Sequence, residues 1–365
     1  MITWAIRRAG YQLDDFVEKF PKVLGWLNKV NQPTVNQLED FSNKVHLPFG
    51  YLFLPEPPEE ILPITFFRTG RGTTNQVSLN VQETVRLLKY RQDWLSEYLQ
   101  EAGEEPLPFV ARFGLQNTPE EIAADIRTTL QLSPDWASHL PNWSSAKTHL
   151  AQQIEEVGIV ISFNGVVENN NIRKIDPDEC RGFVLVDPYA PFLFVNNNDS
   201  KAAQMFTLAH ELAHVWTGYS AGFDSRMLLP ADDPVERLCD QTAAELLVPS
   251  HDFRVFWQEK PTIPTAARHF KVSEIVAARR ALDLGLIDKP SFFRFYHQFM
   301  RRFSERKTNR SEGGNFFNTQ KVRLGLPFLS HLNQALKSGK ILHSEAYRLT
   351  GLKGDTFRTL TQKIL

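Results

Sequence analysis

Residues 206–218 read Phe206-Thr207-Leu208-Ala209-His210-Glu211-Leu212-Ala213-His214-Val215-Trp216-Thr217-Gly218. No Pro interrupts the run, Gly218 closes it, and apolar residues occupy nearly every other position, so a buried helix ending at Gly218 is predicted. On that helix His210 and His214 stand one turn apart and project from the same face. Such a pair suits two neutral imidazoles sharing one divalent cation at about 2.0–2.1 Å. Glu211 projects beside them, where a carboxylate can take a proton from water and hand it on. The competing reading is a helix that merely happens to carry two His. Burying two adjacent imidazoles without a shared ligand is costly, which favours the metal.

A catalytic zinc site needs a third protein ligand and an open position. Downstream, Asp233-Pro234-Val235-Glu236-Arg237-Leu238-Cys239-Asp240 opens a second helix, with Pro at its first turn, that continues to Leu247. Glu236 is the expected third ligand. Asp240, one turn further on the same face, is placed to accept the N–H of a ligand histidine. Asp224 and Glu245 compete for the ligand role. Glu245 lies about two and a half turns beyond Glu236 and so faces elsewhere. Without a metal, Glu236 would be a first-turn acid favoured by the helix dipole.

Upstream of the motif the period changes. Residues 158–163, 182–186 and 191–196 are short, β-branched and aromatic, and Asp187-Pro188-Tyr189-Ala190 is a turn signal between the last two. A small sheet ending in a hairpin and leading into a helix near Asp199-Ser200 makes the fold class α+β. Asn196, ending the last strand, is expected near the site, and that strand is expected to be an edge able to pair with an extended peptide. Further out, helices are expected over 78–102, 118–131 and 144–157, and three short ones over 264–296. Residues 301–315 read as a polar, basic linker, and 316–365 carry no recognisable chemistry. His251, His269, Ser220 and Ser250 have no catalytic arrangement around them in sequence. The organisation expected is a helical module at 1–60, a helical connecting region at 61–145, a metal-binding α+β domain at 146–296, and a linker with C-terminal extension at 297–365.

Over 365 residues, 41 Lys and Arg nearly balance 42 Asp and Glu, so net charge selects no nucleic-acid or membrane partner. Two cysteines, Cys180 and Cys239, lie far apart and form no CxxC, which argues against a disulfide scaffold or thiolate zinc site. No signal-peptide run and no stretch of about 20 apolar residues is present, so a cytoplasmic protein without membrane spans is expected.

The pair FTLAHELAHVWTG and VERLCDQTAAELLVPS resembles the ImmA/IrrE metallopeptidases, and the likeness extends over about 150–290, including ARHFKVSEIVAARRALDLGLI at 267–287. The resemblance implies a zincin-like core, Zn²⁺ held by His210, His214 and Glu236, and Glu211 as the catalytic acid/base. Asp240 stands where the family more often has Asn. It also implies an endopeptidase cleaving a protein, typically a Cro/C1-type repressor or antitoxin in a stress or mobile-element response. Residues 12–58 resemble the helix-turn-helix of Cro/C1-type regulators. DNA binding through 1–55 would need a basic face there, yet six Lys or Arg (Arg7, Arg8, Lys19, Lys22, Lys29, Lys44) meet five acids. That near-balance counts against DNA binding, which stands as the alternative function: a DNA-binding transcriptional regulator or antitoxin in which the zinc fold is structural or sensory.

Overall fold

The structure, a computed structural model, describes residues 1–60, 62, 64–67, 77–223, 233–306 and 316–364. The chain forms two compact units, Met1–Pro63 with Gly72–Arg86, and Ile64–Arg71 with Leu87–Leu365.

The first unit is helical: α1 (Ile2–Arg8), α2 (Leu13–Lys19), α3 (Lys22–Leu27) and α4 (Val35–Lys44), then a 3₁₀ turn at Phe49–Phe53. A capping box starts α4: Thr34 accepts from the Gln37 amide, and Gln37 Oε1 accepts from Thr34 N. Ala5, Ile6, Phe16, Val23, Phe41, Val45 and Leu47 form its core. Arg8 closes the unit, donating to both carboxylate oxygens of Glu60 at 2.8 Å and to His46 O at 3.1 Å.

The second unit holds a five-stranded sheet. In chain order it contains β1 (Thr65–Phe67), the main part of α5 (Leu79–Glu101), α6 (Pro119–Thr129), α7 (Trp143–Glu156), β2 (Val160–Asn164), the ribbon of β3 (Val166–Val167) and β4 (Asn170–Lys174), β5 (Gly182–Leu185), β6 (Phe192–Asn196), α8 (Lys201–Thr217) and β7 (Ala221–Phe223). After β7 the chain continues as α9 (Pro234–Leu247), α10 (Ser250–Glu259), α11 (Ile263–Phe270), α12 (Glu274–Asp283), α13 (Lys289–Arg306), α14 (Phe316–Leu324), α15 (Leu326–Lys337), α16 (His343–Thr350) and α17 (Gly354–Ile364). The fold is mixed α+β, with the strand order β1-β7-β5-β6-β2.

Continuous apolar strands, rather than alternating ones, follow from burial on both faces. Ile161, Phe163, Val184, Leu193 and Val195 join α8 in the main core. On the other face Phe183 stacks on Phe194 at 4.8 Å, and Phe192 meets Phe328 of α15, which in turn meets Trp94 of α5. Gln92 of α5 clamps the β5–β6 hairpin by donating to Leu185 O (2.6 Å) and Ala190 O (2.9 Å). Within the turn, Asp187 Oδ1 accepts from the Tyr189 and Ala190 amides.

Two expectations change. The strand preceding α8, β6, is no edge: β2 pairs with it in parallel on one side and β5 antiparallel on the other. The free side of β5 carries β7, and β1 adds outside that. A peptide therefore cannot pair with β6 as expected. The supposed linker at 301–315 begins as helix, since α13 runs to Arg306, and residues 307–315 lie outside the described set. The segment 316–364, expected as a helical C-terminal extension, is four helices packed into the unit, its Ser162–Arg323, Glu155–Leu326 and Arg91–Leu349 hydrogen bonds all reaching the sheet or its flanking helices.

Candidate metal centre

Helix α8 is fixed at both ends. Ser200 caps its N-terminus by accepting from Ala203 N, and Gly218 ends it at φ +82°, where a Cβ would sit 2.7 Å from Ala111 Cβ. The extended segment before α6 ties off two terminal carbonyls, with Ala111 N donating to Val215 O and Phe113 N to Trp216 O. Trp216 stacks on Phe109 and donates to Asp125 Oδ2 at 2.8 Å. Every residue from Ala203 to Thr217 is buried.

Helix α9 crosses α8. Asp233 caps it by accepting from Val235 N and Glu236 N, and Pro234 occupies the first position, where no N–H is needed. The cap brings Glu236 to the two histidines. His210 Nε2 lies 3.2 Å from Glu236 Oε2, His214 Nε2 lies 3.2 Å from Glu236 Oε1, and the two Nε2 atoms are 3.1 Å apart. A tetrahedral zinc site with bonds of about 2.0–2.1 Å has ligand–ligand edges of about 3.3–3.4 Å. The three side chains thus converge at nearly the separation that one zinc ion requires, and all three are buried. Asp240 Oδ1 sits 3.0 Å from His210 Nδ1, a partner that would hold a proton on Nδ1 and leave the Nε2 lone pair to a cation at the convergence point. His214 Nδ1 has no such partner among the described residues.

Electrostatics fit the same donor set. Burial favours a neutral His210, but hydrogen bonds with Asp240 and Glu236 outweigh it and raise the imidazole to about 10. Burial works against the Glu236 carboxylate too, yet its bonds from both imidazoles hold it below the usual carboxylate range. Burial, the largest influence on His214, lowers it. The site therefore draws positive charge to its centre, and a cation there would take the place of the proton.

Glu211 is fully buried, and neither oxygen has a hydrogen-bond partner among the described residues. Burial pushes its carboxyl well above the usual range, against the pull of His210. An unpartnered carboxyl beside a cation-attracting triad is a feature that packing alone does not explain. Above it runs β5, close enough that a Cβ on Gly182 would lie 3.2 Å from Glu211 Oε1 and 2.4 Å from Thr207 Cγ2.

Other expected residues fall elsewhere. Glu245 is turned away, paired with Arg280 and accepting from Ser250 N at 3.1 Å, so it holds the α9–α10 corner. Asp224 lies outside the described residues. Asn196 is committed to the fold, donating to Ile175 O and Cys180 O and accepting from Asn198 N. Cys180 and Cys239 are buried and not joined in a disulfide. Two contributors had no signal in the sequence: Gly182, which lets β5 lie on α8, and Thr217, whose hydroxyl lies 4.0 Å from Cys239 Sγ where α8 meets α9.

Residues 154–282 match the family model described as the IrrE N-terminal-like domain, a peptidase family of the ImmA/IrrE type. The match spans β2 through α12 and includes the convergent triad. Residues 324–363 match a second model, described as a domain of unknown function (DUF8813). No curated protein matches the chain. Among the described residues no helix is long and apolar enough to cross a membrane.

Proposed function

We propose that the chain is a zinc-dependent endopeptidase with a zincin-like core, in which His210, His214 and Glu236 hold the metal. The observation that carries this reading is the buried triad with Glu211, unpartnered, one residue along the same helix. Zinc bound there would supply a Lewis acid that polarises a scissile carbonyl and acidifies water. Glu211 takes the proton from the attacking water and delivers it to the leaving amine. Asp240 keeps the proton of His210 on Nδ1, so that the ring presents a lone pair inward. The dry surroundings of Glu211 raise its basicity, and His210 opposes the extra proton affinity that burial alone would impose.

The substrate proposed is a protein, a Cro/C1-type repressor or antitoxin, by the family resemblance of the two helical motifs. The test uses Glu211→Gln. The variant should bind one zinc per chain, as the parent does, and fail to cleave a Cro/C1-type repressor encoded in the same genome. Cleavage retained by Glu211→Gln removes that residue from the chemistry, and a parent that binds no zinc refutes the metal reading.

A further inference from the structure

Charge is divided unevenly along the chain. Residues 289–365 hold fifteen Lys or Arg against four acids, a net of +11, whereas the first 288 residues hold 26 against 38, a net of −12. The overall balance of −1 conceals a basic end. Such asymmetry marks a segment that meets a polyanion, and residues 326–365 within it keep six Lys or Arg against two acids, a net of +4.

The end of that stretch has a specific shape. Helices α15, α16 and α17 bury Leu329, Leu332, Leu349, Leu352, Phe357 and Leu360. Only residues 351–353 join α16 to α17. Gly351, at φ +70°, turns the chain at the end of α16, Leu352 points inward, and the Tyr347 and Phe357 rings meet edge-on at 5.5 Å. Two helices joined by a three-residue turn containing Gly, with a third helix packed alongside, make a helix-turn-helix.

The second helix of such a unit carries the recognition surface, chiefly at its N-terminal end. Here Lys353, Asp355, Thr356, Arg358 and Gln362 are exposed, and none is apolar. Arg358 gives one N–H to Asp355 Oδ1 at 2.7 Å, yet its side chain remains 70% exposed. Lys340 and Arg348 lie over the Tyr98 and Tyr90 rings of α5, so Lys353 and Arg358 are the cations at the head of α17. A lipid surface would call for apolar side chains on this face. Hydrogen-bonding groups flanked by cations suit a nucleic-acid groove. In the N-terminal module, by contrast, α3 is six residues long and exposes Leu24 by 48%, and net charge over 1–55 is +1.

We propose that α15–α17 form a DNA-binding helix-turn-helix, with α17 entering the major groove of a duplex and Lys353 and Arg358 contacting it. The property is independent of peptidase activity. The experiment uses full-length chain and a fluorescein-labelled, mixed-sequence 30-base-pair duplex, read by anisotropy between about 50 and 200 mM salt. Binding should weaken with salt at a log–log slope of about −3 to −5. The double variant Lys353→Glu/Arg358→Glu, with an unchanged melting temperature, should bind at least about tenfold more weakly, with a slope shallower by about 2. Lys22→Glu/Lys29→Glu should bind like the parent. The proposal fails if the duplex is not bound at low salt, if the α17 variant binds like the parent, if the loss follows the N-terminal pair instead, or if vesicles of anionic phospholipid outcompete the duplex.

Discussion

Gly182→Ala tests whether β5 lies on α8 as closely as the geometry requires. Gly182 needs no left-handed backbone, so the substitution changes occupied space alone. Its new methyl would sit 2.4 Å from Thr207 Cγ2, 2.8 Å from Phe194 O and 3.2 Å from Glu211 Oε1. Ordinary contacts between such atoms are about 3.5–4.0 Å, so the strand and helix must separate by roughly 1 Å. Phe194 O belongs to the neighbouring strand and cannot swing away, unlike the end of a flexible side chain. Overpacking of this kind costs about 1–3 kcal/mol. At roughly 2–4 °C per kcal/mol for a unit of this size, the melting temperature should fall by about 2–12 °C. The same displacement reaches Glu211, where an error of about 1 Å can slow chemistry on the order of a hundredfold. Thermal melts and cleavage of a quenched-fluorescent peptide library measure the two effects separately. Adding Thr207→Ala removes the shortest contact but leaves Phe194 O, so it should recover part of the stability. A Gly182→Ala protein that melts within a degree of the parent and cleaves at its rate would refute this account of the β5–α8 contact.

Two further perturbations separate the roles of individual carboxylates. Asp240→Ala removes the carboxylate that meets His210 Nδ1 and should weaken zinc binding by about 10–100-fold, seen by competition with a chelator; parental affinity would dismiss Asp240 as an orienting group. Glu155, which accepts from Leu326 N at 2.9 Å, is raised by burial to about 7 from an ordinary 4.5, so the folded state holds its proton more tightly than the unfolded chain does. Its stabilising contribution is complete below pH 4.5 and is lost as pH rises through 7. The ceiling is about 3 kcal/mol, reduced to roughly 1–2 by the water that still reaches the side chain. Glu155→Gln, neutral at every pH, should therefore be more stable than the parent at pH 8 by about that amount and nearly equal at pH 4.5. Equal melting differences at the two pH values would show that Glu155 does not titrate against the C-terminal helices.

The candidate site was legible because its main parts obey a local rule. A helix converts a spacing of four residues into a shared face, so His210 with His214, and Glu236 with Asp240, can be paired on paper. The hairpin was legible for a similar reason: Asp187 forms its own turn with amides two and three residues on. What escaped was held by distant partners. Strands β1 and β7 are three residues each, too short to show a period, and Thr65 pairs with Ala221 only through the tertiary fold. The position of β6 inside the sheet follows from its parallel pairing with β2 on the side away from β5, a partner about 30 residues back across a crossover that leaves no local sign in the sequence. Helices α14–α17 have recognisable apolar positions, but their burial depends on β2, α5 and α7, so the segment looked featureless in isolation. Helical phase separates Glu236 from Glu245, and Arg280, 35 residues away, supplies with Ser250 the partners that let Glu245 be buried.

The energetic cost of Glu211 and the chemistry proposed for it have one origin. A carboxyl buried without a hydrogen bond costs about 1–3 kcal/mol, more if it is ionised. That cost could be avoided by an apolar residue of similar size, since Leu208, Leu212 and Val215 already surround α8 with apolar surface. The fold instead surrounds the carboxyl with rigid neighbours: α8 is buried along its length, Gly182 brings β5 down upon it, and α9 is pinned by the Asp233 cap and the Glu245–Arg280 pair. Rigidity prevents Glu211 from relieving its own desolvation by turning towards water. A group held neutral by burial is a poor base until positive charge stands nearby, and the donors capable of holding that charge are its immediate neighbours on the helix. In the proposed mechanism, proton affinity at Glu211 would thus be coupled to occupancy of the triad, and the general base would become competent only where the electrophile is also in place.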